Sequence, residues 1–404
     1  MNEVTDMNLS PIDRLQATNP HAEIWWDSSP LVFDAWRDEM VAGTPEGGRA
    51  EMRGQLDRLN EFGNGRPGAF RGCTTNPPLS LTAVKQAPER WNPRLDALIA
   101  ENPGRDAKAL AWMLYKEVIQ RGAEVFYPLW EASAGRYGYV SGQLDPRLFT
   151  ETDEMISQAR ELRALAPNVM VKVPASTQGV GVIRTLTSEA IPTNTTTCFT
   201  VPQVMAVARA AVEGLALAAE NKVDTSKWRA VITLMLARLT ERPIVDEQAR
   251  YYGIDLTPAD KKWFGLAVFK RSYRLLADGG FPSKLLLCSV RPGPLVAGRT
   301  AFWDVEEVAG GNIVYTLPPY GLTPLFRMGD SLDFRPEAID QEVPAASLER
   351  ILRLPYGLQS YEPHGMSVDQ FNDHPATAFT VAEFSNSASG LEDYVAGRMA
   401  APRS

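Results

Sequence analysis

Eight short apolar runs recur along the chain, most of them separated by longer stretches with helical spacing, and this alternation constrains the fold more than any other feature. The runs fall at residues 23–28, 69–75, 137–143, 168–174, 191–199, 229–236, 284–290 and 312–317. Helical patterns occupy 30–42, 106–120, 181–189, 201–220 and 258–277 between them. Short apolar strands alternating with helices are the mark of βα units, because a parallel strand can be reached only by a crossover. Eight such units close into a barrel. An open doubly wound sheet is the rival, but it would carry a GxGxxG turn after the first strand, and none follows residue 28. The expected fold is therefore α/β, a parallel (β/α)8 TIM barrel with a C-terminal helical extension. The barrel is expected over 23–325, after an N-terminal arm at 1–22. The extension, 326–404, is expected to carry helices at 347–354 and 377–398 beyond an irregular connection at 330–344. It would pack on the barrel, over its mouth, or serve as a plain cap or an oligomer contact.

Composition narrows the chemistry. The chain of 404 residues is 44% hydrophobic and 22% charged, with a net charge of -8. It has no Lys/Arg-rich run, so electrostatics disfavour a nucleic-acid partner. It has no run of eighteen apolar residues, and residues 1–20 lack the basic-then-apolar pattern of a secretory signal. No membrane association and a cytoplasmic location are the expectations. Cys73, Cys198 and Cys288 sit in separate apolar runs with no CxxC spacing, which reads as three small buried hydrophobes rather than a disulfide frame or zinc site. Only His21, His364 and His374 occur, none at a strand end, so a histidine triad and a His-rich metal site are disfavoured. The chemistry must rest on lysine, carboxylates, amides and hydroxyls.

Barrel interiors are packed with branched apolar side chains, and chemistry collects at the carboxyl ends of the strands. Polar residues there carry information: Asp27, Asn76, Gln143 and Lys172 on the first four runs, Asn194 and Thr196 on the fifth, Thr233 on the sixth and Ser289 on the seventh. Arg238 and Arg291 follow the sixth and seventh runs, where barrel enzymes often form phosphate sites. Lys172 is the sharpest of these, an amine inside the apolar segment 169–174. Burial would lower its pKa and leave part of it as the neutral nucleophile that imine formation needs. The alternative is a lysine snorkelling outward from an edge strand. Asp27 could equally cap the next helix, and either arginine could be a surface ion-pair residue.

Several segments resemble transaldolases. Residues 74–79, TTNPPL, are similar to the family's TTNPSL element, and 170–179, MVKVPASTQG, to its active-site lysine signature. Residues 190–196, AIPTNTT, 140–147, VSGQLDPR, and 286–291, LLCSVR, are similar to further family elements. The matches run in order across residues 23–320, and they are specific together rather than singly. The resemblance implies a transferase that moves a dihydroxyacetone unit from a phosphoketose to an aldose acceptor, within carbohydrate and pentose phosphate metabolism. Lys172 would form the Schiff base. Asp27 would exchange the C4 hydroxyl proton. Asn76, with Thr75 beside it, and Asn194 would hold substrate hydroxyls. Thr196 would help hold a catalytic water, and Thr233 would keep a hydroxyl where the family has serine. Arg238, Arg291 and Ser289 would grip the sugar phosphate. No metal or organic cofactor is implied; the partners are small-molecule sugar phosphates, and a homodimer is left open.

Two site positions depart from the family pattern. Gln143 stands where transaldolases carry a water-activating glutamate, and fructose 6-phosphate aldolases have glutamine there. Those aldolases pair it with a tyrosine at the position of Met235, where transaldolases usually have phenylalanine. The C-terminal extension is also longer than a transaldolase needs. A Schiff-base aldolase or transferase acting on an unusual sugar of secondary metabolism is thus the nearest alternative. A catalytically silent barrel used for binding or scaffolding is the alternative of another class.

Overall fold

The computed structural model describes residues 9–61 and 68–401. Residues 1–8 of the expected N-terminal arm and 402–404 of the extension lie outside the described residues. The eight strands are β1 (Glu23–Trp26), β2 (Phe70–Cys73), β3 (Tyr139–Gln143), β4 (Val169–Pro174), β5 (Thr193–Cys198), β6 (Ala230–Met235), β7 (Lys284–Cys288) and β8 (Val314–Leu317). They close in the order β1-β8-β7-β6-β5-β4-β3-β2, every pair parallel, and helices surround them. The fold is the (β/α)8 barrel that the alternation predicts, with each strand inside its apolar run.

Register decides which side chains look inward. Gln143, Lys172 and Asn194 pair across β3, β4 and β5, so a period of two turns all three to one face. The same line of registers turns Trp25 and Gly72 inward on β1 and β2. A Cβ on Gly72 would lie 2.6 Å from the Trp25 indole, so only glycine leaves room for the ring that fills this layer. At the amino ends of the strands Glu23 pairs with Arg229 at 2.5 Å and Lys284 at 2.8 Å, which closes the floor with charge rather than chemistry.

The helix expected at 106–120 spans Ala107–Ala132, passing through Pro128. The buried series Ile119, Gly122, Ala123, Phe126, Leu129 and Trp130 keeps its apolar face going, and tertiary packing overrides the proline. The helix Val201–Glu220 is long and apolar enough by composition to cross a membrane, yet most of it is buried against its neighbours.

Before β1, the helix Pro11–Ala17 starts at a Ser10–Asp13 capping box, and Asn19 Nδ2 donates to Gly310 O at 2.7 Å. After β8 the extension folds into helices Ala345–Leu352, Pro355–Tyr361 and Pro375–Ala400. Lys270 ties it to the barrel by donating to Ala338 O and Gln341 O, and Arg350 grips buried Asp260 at 2.7 Å. The last helix packs on β5, the turn Pro146–Leu148 after β3, the helix Pro77–Gln86 after β2 and the helix Leu236–Thr240 after β6. Those are all features of the carboxyl face, so the helix crosses the barrel mouth. Arg147 to Glu392 at 2.7 Å and Tyr394 Oη to Asn92 Oδ1 at 2.5 Å fasten its far half.

Candidate active site

Lys172 lies in the middle of β4, a strand paired on both sides in a closed barrel. No edge exists for its head to reach past, and the side chain is 2% exposed, so the snorkelling alternative does not hold. Nζ donates to Thr75 O at 3.3 Å. Burial pushes its pKa below the ordinary lysine value, with the charge of Asp27 opposing. Asp27, just past β1, is buried as well, and burial pushes its carboxyl up against the opposing pull of Lys172 and the Thr74 hydroxyl. Neither group makes an ion pair within 4.0 Å among the described residues. Asp27 does not cap a helix. Ser29 does so, accepting from Leu31 N at 3.3 Å.

Hydroxyls and amides line the same end of the barrel. Thr233 Oγ1 donates to Asn194 Oδ1 at 2.6 Å, and Asn194 Nδ2 donates to Ser141 Oγ at 2.9 Å, one row across β6, β5 and β3. Thr75 Oγ1 donates to Ser141 O at 2.6 Å. Asn76 caps the helix Pro77–Gln86, its Oδ1 accepting from Leu79 N at 2.9 Å. Gln143 Oε1 and Thr196 Oγ1 are buried without a hydrogen-bond partner. Orphaned polar atoms in an interior cost free energy, so their presence at the end of a barrel marks space made for a polar ligand or water. Thr197, next to Thr196, has a φ of 47°, outside the comfortable range of a β-branched residue, where the β5–β6 register slips. Such irregularities re-aim side chains beside active sites.

The late strands supply the charge. Met235 ends β6 as a buried apolar wall, and Arg238 follows on the short helix Leu236–Thr240. Ser289 follows β7 in the left-handed region, φ 59°, with its carbonyl accepting from Ala237 N. Arg291 lies over the Tyr320 ring at 4.8 Å, its backbone amide held by Asp304 at 2.7 Å. Arg238 is not free: Glu383 of the C-terminal helix takes both of its terminal nitrogens, at 2.7 and 2.8 Å.

Sequence reasoning missed Thr74, Thr316, Ser141, Cys288 and Glu383. Thr74, Ser141 and Cys288 lie on inward positions two residues from a named site residue or in register with one, and Thr316 is in register with the inward Trp25, so strand alternation carried their signal. Cys288 is more than a small hydrophobe, since its thiol lies 3.9 Å from Asp27, and burial raises its pKa to about 12. Glu383 had no signal. Among the described residues no group of three or more His, Cys, Asp or Glu could hold a metal ion.

A family model described as transaldolase/fructose-6-phosphate aldolase matches residues 54–383. The match starts after β1, so Asp27 enters the site by barrel closure from outside the matched span. Among curated proteins, a transaldolase of Thiobacillus denitrificans is 28% identical over 70% of this chain and 80% of its own length. A transaldolase of Arthrobacter is 28% identical over 73% of this chain and 78% of its own length. A transaldolase of Mycobacterium ulcerans is 34% identical over a shorter stretch, 42% of this chain and 45% of its own.

Proposed function

Because the chain belongs to the transaldolase/fructose-6-phosphate aldolase family, we propose that it moves a dihydroxyacetone unit from a phosphoketose to an aldose acceptor through a Schiff base on Lys172. The observation that carries this reading is an enclosed lysine whose only hydrogen-bond partner among the described residues is a backbone carbonyl, with a buried carboxylate on the same barrel end.

Desolvation leaves part of Lys172 as the neutral amine. That amine adds to the ketose carbonyl, forming a carbon–nitrogen bond while the carbonyl oxygen takes a proton. The carbinolamine loses water to give the protonated imine. Gln143 and Thr196, with their unpartnered oxygens, hold that water. Asp27 as carboxylate then removes the C4 hydroxyl proton, the C3–C4 bond breaks, and its electron pair passes into the imine to leave an enamine. The aldehyde departs, and an acceptor aldehyde reverses the steps, with protonated Asp27 returning the proton. Asn194 and Asn76 hold the three-carbon unit through amide hydrogen bonds. Arg238 and Arg291, with Ser289, meet the phosphate through charge-assisted bonds.

Reduction with borohydride in the presence of fructose 6-phosphate tests the reading. The expected result is a mass increase on Lys172 and none in Lys172→Met, which keeps volume without the amine. Adduct formation that persists in Lys172→Met overturns the assignment.

A further inference from the structure

The C-terminal helix brings a carboxylate onto Arg238, the arginine read above as a phosphate ligand. Glu383 engages Arg238 end-on through both carboxylate oxygens, at 2.7 and 2.8 Å. Its helix is braced there by two rings. Phe384 faces the Arg238 guanidinium at 5.1 Å, and Phe379, one turn earlier, lies under Arg242 at 3.6 Å. Arg242 and Arg291 also act on the Glu383 charge, so one carboxylate sits among three guanidinium groups past β6 and β7. Exposure is unequal across the pair: the Arg238 side chain is 19% exposed and that of Glu383 43%. The carboxylate is therefore the more solvent-accessible partner of the pair. A residue whose task was to steady Arg238 from behind would be the more buried of the two.

We propose that Glu383 is an intramolecular competitor for the anion site, a specificity-determining residue that a substrate phosphate must displace from Arg238. This rests on the reading of Arg238 as a phosphate ligand. Water reaches the Glu383 half of this ion pair, which screens it more than a fully buried pair. A phosphate, with more charge and more acceptor oxygens than a carboxylate, can take its place. The competitor lowers the preference for phosphorylated over unphosphorylated ketoses, because only the phosphorylated ones must evict it. It also gives the extension a role in choosing substrate beyond covering the mouth.

Calorimetric titration with inorganic phosphate at constant ionic strength tests this on the full chain, with Glu383→Gln, Glu383→Ala and Arg238→Gln alongside. A thermal melt checks that each variant folds. Both Glu383 variants are expected to bind phosphate about tenfold more tightly than the parent, since the competing charge is gone. The ratio of kcat/KM for fructose 6-phosphate over fructose is expected to rise by a similar factor, through KM. Unchanged or weaker phosphate binding in both Glu383 variants overturns the proposal and makes Glu383 a support for Arg238. Equal phosphate binding by the parent and Arg238→Gln removes the underlying phosphate reading instead. Because phosphate binding needs no turnover, a failure of the lysine chemistry shows separately in the borohydride experiment.

Discussion

Thr74 donates its hydroxyl proton to Asp27 across 2.5 Å, fastening the carboxylate that follows β1 to the end of β2. Thr316 of β8 stands 2.5 Å from the same Thr74 oxygen and supplies the proton that Thr74 accepts, so three strand ends share one chain of hydrogen bonds. The chain favours the ionised form of Asp27, against burial, which favours the neutral acid.

Thr74→Val should therefore move the Asp27 pKa further upward. The acid limb of the kcat/KM profile would shift to higher pH, and activity near neutrality would fall roughly tenfold, the worth of one hydrogen bond to a charged group. A pH–rate profile measures this. An acid limb that stays in place would mean that another group sets the ionisation.

The neutral amide at position 143 can hold a water but cannot take its proton. Gln143→Glu should speed imine formation by up to about 10²-fold, with the gain growing as pH rises through the pKa of the new carboxylate. Gln143→Ala should slow it, because the water loses a holder. Single-turnover adduct formation from pH 5 to 9 gives the comparison. A glutamate variant slower than the parent at every pH would point to a substrate that contacts the amide directly.

His374 immediately precedes the C-terminal helix, its ring stacked between those of Phe199 and Tyr356 at 6.1 and 5.0 Å, with both ring nitrogens unpartnered. Burial lowers its pKa from 6.5 to about 4. The unfolded chain then binds the proton that the folded chain refuses, so stability should fall as pH drops from about 6.5 towards 4, by roughly 3 kcal/mol in all. His374→Phe keeps the stack without the titration and should flatten that part of the curve relative to the parent. Urea denaturation at a series of pH values reads the difference. Parallel curves for the two proteins would refute it.

Gly72→Ala puts a Cβ 2.6 Å from the Trp25 ring in the closed interior of the barrel. Overpacking of this kind costs about 1–3 kcal/mol. Trp25→Phe in the same chain should recover part of that loss. A melt in which Gly72→Ala matches the parent would show that the indole moves aside freely.

The positions of all eight strands and the exceptional lysine at 172 were legible in the sequence, because strand runs, helix spacing and a charge among apolar neighbours are local patterns. Alternation also held the inward direction of Gln143, Asn194 and Thr233, since a strand turns every second side chain to one face. The long helix Ala107–Ala132 was only half legible, because its second half depends on packing that outweighs Pro128.

What the sequence alone determined, then, is the set of strands, the closed barrel they make and which residues face its interior. Only the tertiary structure decided which of those residues meet. Closure brings Asp27 to Thr74, 47 positions away, and Thr74 to Thr316, 242 positions away, and no local pattern encodes a distance across a barrel. The same holds more strongly for Glu383, which reads in the sequence as one charge on a solvated helix. Its meeting with Arg238, 145 residues earlier, is fixed by the path of the last helix over the mouth. That path is set by Phe384 packed in the core, Phe379 against Arg242 and the anchors at Glu392 and Tyr394, each a long-range contact that exists only once the barrel has closed.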